Sequence, residues 1–135
     1  MKRSLILSWL LRFTAAVILL QTLYFKFTAH EESVYIFTTV GLEPWGRIGS
    51  GVAELVAGIL LLIPRTIIYG ALLAAMIMIG AIASHLFVLG IVVRDDGGQL
   101  FIMACVVFVS STGLLYLHRE KLLMLKAKLL SMFSL

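Results

Sequence analysis

The chain has one cysteine, Cys105, and little charge: only 13% of its 135 residues are Asp, Glu, Lys or Arg. A lone cysteine excludes an internal disulfide, a CxxC redox pair and a cysteine-rich metal site, so the chain by itself has no dithiol chemistry. The net charge of +4 comes from residues at chain ends and turns, with no basic run interleaved with exposed aromatics, and this excludes nucleic acid as a partner. A glycine-rich phosphate loop, a zinc signature and a nucleophile elbow are also missing. The adjacent pair Asp95 and Asp96 supplies too few ligands for a metal, so no metal site is expected. What the chain does have is apolar surface, at 61% hydrophobic residues and a mean hydropathy of +1.09. That is too apolar for a soluble domain and too short for two domains, so residues 1–135 read as a single transmembrane domain in contact with a lipid bilayer.

Four apolar stretches approach the ~20 residues needed to cross ~30 Å of hydrocarbon. They cover about 8–27, 45–63, 67–93 and 99–117. Arg12 and Lys26 flank the first and are placed to snorkel towards headgroups. Lys2 and Arg3 before an apolar run resemble a signal peptide, yet Arg12 interrupts the run and no cleavage site follows, so the first helix is expected to be retained. Only Arg65 and Thr66 lie between the second and third stretches, which predicts a tight antiparallel pair. Arg94 to Gly98 is a turn. Residues 118–135 place Lys or Arg among leucines, as an amphipathic tail on the membrane surface would.

The 28–44 connection is not featureless. Thr28 to Glu31 fits a capping box, Val34, Phe37 and Thr38 recur at helical spacing, Gly41 suits a C-cap and Pro44-Trp45 can open the next helix. The expected fold class is therefore all-α: an integral membrane four-helix bundle with a short interfacial helix between helices one and two. That short helix either shields the bundle end or gates a substrate. Lys and Arg number eight on the side of the termini and the Arg65 turn against three on the other, so both termini are expected to be cytoplasmic.

The second stretch carries the one carboxylate well inside an apolar run, Glu54. Arg47, Gly51, Glu54 and Gly58 follow at i, i+4, i+7 and i+11, a single helical stripe with two small residues where another helix packs closely. A buried carboxylate needs a partner. Counting from the helix ends, Gln21, Glu54 and His85 each lie roughly 10 to 14 Å from the outer boundary, with Cys105 at nearly the same level, and Lys26 is long enough to reach inward. The candidate cluster is Glu54, His85, Lys26, Gln21 and Arg47. Either it pins helix register, or it binds a small ligand or a proton, with His85 the best proton handler by its titration range. No catalytic residue is assigned.

Lys26 at the end of helix one, the Gly51-x-x-Glu54-x-x-x-Gly58-x-Leu60-Leu61 core of helix two and the Gly80-Ala81-x-x-x-His85 segment of helix three resemble the DoxX family of small four-helix membrane proteins. The resemblance spans roughly Arg12 to Tyr116. It implies a bundle in a bacterial cytoplasmic membrane, association with a membrane redox complex, a quinone as the candidate cofactor and a redox protein as the candidate partner. Two other classes stay open: a non-catalytic assembly or anchoring subunit, and a proton-coupled transporter, which in so small a chain requires a homo-oligomer.

Overall fold

The structure is a computed structural model describing residues 2–134. Helix α1, Lys2–Gln21, continues after a break at Thr22 as α2, Leu23–Phe27. The Thr22 hydroxyl lies 2.8 Å from the Leu19 carbonyl oxygen, the local back-bonding that bends helices at threonine. Then follow α3, Glu31–Val40, α4, Trp45–Leu62, and α5, Ile67–Ser84, which runs into a π-helical turn over His85–Leu89. Helix α6, Gln99–Leu117, and α7, Arg119–Phe133, complete the chain. Four segments are long and apolar enough to cross a membrane: Lys2–Phe27, Trp45–Leu62, Pro64–Leu89 and Gln99–Leu117.

The four spans form a closed ring in which α1 packs on α4 and α6, and α5 packs on the same two helices. Ala15, Leu19, Ala57, Leu61, Ala71, Ala74, Val107 and Leu114 fill its centre. Small residues let the axes approach. At Gly70 an added Cβ would meet the backbone N of Leu61 at 2.7 Å, so α5 lies directly on α4 there. The outer faces carry Phe13, Val17, Met76, Ile79 and Val109, all more than half exposed, an apolar surface that lipid covers and water would not tolerate.

The third span is shorter than its hydropathy suggests. It ends at Leu89, not Val93, because Gly90 (φ 82°, ψ 169°) takes a conformation open essentially to glycine alone and turns the chain out of the helix. The short helix between spans one and two is present. Its cap is His30, whose Nδ1 accepts from the Glu32 N–H at 3.3 Å; Thr28 instead bonds back to the Tyr24 carbonyl, so the expected capping box does not form. Gly41 closes α3 in the left-handed region as expected.

Arg12 does not snorkel. It is 2% exposed, with Nε donating to the Leu61 carbonyl at 2.6 Å and Nη2 to that of Leu62 at 2.9 Å, while its guanidinium lies 3.5 Å from the Trp9 ring centre. Pro64 forces Ile63 into an extended conformation and ends α4, leaving the carbonyls of the last turn without helical partners. Arg12 takes two of them and the Thr66 hydroxyl, 2.8 Å from Leu60 O, serves a third.

Candidate functional site

Helix α3 packs on α2, α4 and the π-helical turn, so it lies across one end of the ring. Beneath it is a cavity of about 590 Å³. Its deep wall is apolar, with Leu19, Ile77, Met78 and Val107. Its polar groups, among them Thr22, Lys26, Glu54, His85 and Gln99, belong to residues near the α3 end of the spans.

Glu54 is buried, 4% exposed. Lys26 Nζ donates to its Oε1 at 2.5 Å, so this lysine reaches inward and does not snorkel. The Thr22 hydroxyl lies 3.0 Å from Oε2, and the break between α1 and α2 is what brings that hydroxyl and the lysine to one side of α4. A charge that would be prohibitive alone is thus paired and hydrogen-bonded. Lys26 keeps 15% of its side-chain surface accessible.

Arg47, two stripe positions before Glu54, binds Glu43 through Nε at 2.8 and 3.0 Å and donates through Nη1 to the Lys26 carbonyl. It therefore fixes the backbone that presents Lys26. The stripe itself is buried throughout: an added Cβ would meet the Phe27 ring at 2.8 Å from Gly51 and Leu20 at 2.9 Å from Gly58.

Two candidates sit apart from this pair. Gln21 lines the cavity but its Nε2 donates to Met103 Sδ at 3.4 Å, on α6. His85, 5% exposed, lines the opposite wall and makes no hydrogen bond to Glu54; its Nδ1 lies 3.0 Å from Gly90 O. With the span ending at Leu89, His85 is about one turn from the helix end, closer to α3 than nine residues of helix would put it. Cys105 is outside the cavity.

Three contributors escaped the candidate set. Thr22 was legible from its place one turn before Lys26. Asp96 accepts from the N–H groups of Val93 and Gly98 through Oδ1, at 3.0 and 2.8 Å, and of Leu100 through Oδ2 at 3.2 Å, and so fixes the turn and the start of α6. Burial acts to raise its carboxyl, but those three N–H groups, with a smaller electrostatic contribution from His85, hold it below the usual carboxylate range. Gly90 is the third, and only its positive φ reveals it. Arg94 links this turn to α3, bonding Glu31 at 3.1 Å and facing the Tyr35 ring.

A ring of four membrane-crossing helices with a paired Lys–Glu at the wall of a cavity defines the class: a small helical membrane protein with a buried ionic site. The chain belongs to the DoxX-like family, which matches residues 10–114, a stretch that takes in the second and third spans and most of the first and fourth. No curated protein matches the chain. No solved structure matches it either.

Proposed function

We propose that the chain binds a quinone-type molecule in the cavity beneath α3 and serves as an accessory subunit of a membrane redox system. The observation that carries this reading is the make-up of the cavity, an apolar depth with Lys26, Glu54 and His85 set at its α3 end. A quinone has the same division, ring oxygens at one end and hydrocarbon tail at the other. The Lys26 ammonium is a hydrogen-bond donor for a ring oxygen, Glu54 and Arg47 hold Lys26 in place, and His85 offers a polar contact on the facing wall. A bound quinone supplies reversible two-electron chemistry, and the chain's own residues orient it and exclude water. A separate redox protein exchanges the electrons.

The membrane in this proposal is the bacterial cytoplasmic membrane. Both termini are cytoplasmic, following the eight-to-three excess of Lys and Arg, and the α3 end faces outward. A second reading, an anchoring subunit, draws on α7: it buries no residue and leaves Leu123, Met124, Leu130 and Met132 exposed. Purification in mild detergent with analysis of the extracted lipids and proteins separates the two. Quinone in the extract, reduced by Lys26→Ala, is expected; a stoichiometric protein with no small molecule would favour anchoring.

A further inference from the structure

His85 is held at two points by one glycine. The Gly90 N–H donates to the His85 main-chain oxygen at 2.7 Å, and the Gly90 carbonyl oxygen lies 3.0 Å from Nδ1 of the ring. The second contact fixes the tautomer. A carbonyl oxygen only accepts, so Nδ1 carries the proton, and in the neutral imidazole Nε2 is then a lone-pair acceptor.

Among the described residues, Nε2 has no hydrogen-bond partner, and no buried side-chain nitrogen or oxygen is left unpaired, so Nε2 is accessible. The ring is otherwise nine-tenths buried, edge-on to Phe101, and lines the cavity. The carboxylate coupled electrostatically to it, Asp96, has both oxygens engaged by backbone N–H groups. The ring's own hydrogen-bond partner is a neutral main-chain carbonyl.

The two walls therefore ask for opposite things. Lys26 donates, and His85 accepts. A quinone carbonyl facing Nε2 would set lone pair against lone pair, whereas a quinol hydroxyl donates to Nε2, and its second ring oxygen still accepts from Lys26. We infer that the cavity takes its ligand in the reduced, hydroxyl-bearing form, with a ring O–H donating to Nε2 of His85. The inference deepens the quinone reading above and depends on it.

The test uses the full chain in detergent at about pH 8, anaerobically, and three probes that share one ring: a short-chain ubiquinol, the matching ubiquinone, and the dimethyl ether of the quinol, which has the quinol's shape without its donors. Calorimetry is expected to give the quinol roughly tenfold tighter binding than either of the others, the size of one hydrogen bond to a buried acceptor. His85→Phe should bring quinol and quinone to equal affinity, removing the discrimination between them. In case that variant does not fold, nitrogen NMR of labelled histidine in the unaltered chain is expected to show an unprotonated Nε2 that shifts with quinol and not with quinone. Equal affinity for the three probes, or a proton on Nε2 in the free protein, would overturn the inference and leave the quinone site standing. Binding of none of them would overturn both.

Discussion

Each end of the bundle encloses a basic side chain, and the two are used differently. Arg12, far from α3, is 2% exposed and directs its guanidinium at the Leu61 and Leu62 carbonyls over the face of Trp9, where it finishes a helix end. Lys26, beneath α3, is paired with a carboxylate from another helix, stays partly accessible and borders a cavity. A cation spent on main-chain acceptors is structural. A cation whose partner is a side chain, beside open volume, is available to a ligand.

The comparison breaks most visibly at the first end. Arg12→Met keeps the bulk of the side chain but strips two carbonyls, one of them fully buried, of their donors, and should lower stability in detergent by roughly 3 kcal/mol, read from thermal or denaturant unfolding. Quinone content of the folded fraction should not change. A loss of ligand larger than the loss of fold would show that the two ends are coupled.

At the other end, Glu54→Ala leaves Lys26 uncompensated and should destabilise by about 2 kcal/mol, with Glu54→Gln milder because a hydrogen-bonding group remains. A double-mutant cycle between Glu54 and Lys26 should give a coupling of about 1 kcal/mol or more, while Glu54 and His85, which share no hydrogen bond, should be additive within about 0.5 kcal/mol. Additivity for Lys26 as well would mean that the pair contributes nothing as a pair.

Glycine substitutions sharpen the contrast between packing and positioning, at about 1 to 2 kcal/mol each. Gly70→Ala drives a Cβ into the α4 backbone and should act on stability alone. Gly90→Ala, with nothing closer than 4.0 Å to its Cβ, suffers only from its φ of 82°, so its expected signature is a loosened His85 and lost discrimination between quinol and quinone.

The smallest effect is one of pH. Ser8 Oγ lies 3.0 Å from His118 Nε2, and burial, then the charges of Lys121 and Arg12, hold the His118 imidazole below its ordinary value. A depressed value means the fold favours the neutral ring, so the contribution is complete above about pH 6.5 and is lost as pH falls through the folded value. Unfolding temperature should drop slightly more between pH 8 and 5 in the parent chain than in His118→Asn. An equal drop would leave His118 without a part in the pH response.

Much of this was legible beforehand for a physical reason. Span length is set by bilayer thickness and turn position by Pro64, Gly97 and Gly98, all local properties of the chain, so the four helices, the pairing across Arg65 and the short α3 could be read directly. The buried stripe through Glu54 was equally visible, because a carboxylate in hydrocarbon must face inward. Hydropathy failed at Gly90, since Ile91 to Val93 are apolar and the break lies in a backbone conformation. Capping failed at Thr28 because Ala29 turns left-handed at φ 53° and delivers His30 to the cap instead.

Sequence alone determined that the chain crosses a membrane four times and that Glu54 must be buried and partnered, because both follow from the cost of placing polar groups in hydrocarbon, whatever the neighbours are. Which partner each buried group has was decided by the tertiary structure. Arg12 meets carbonyls 49 and 50 residues away, Lys26 meets Glu54 across 28, and His85 turns from Glu54 to Gly90. Hydrogen bonds need donor and acceptor within about 3 Å, and only the ring order of the helices, the bend at Thr22 and the turn at Gly90 set those distances.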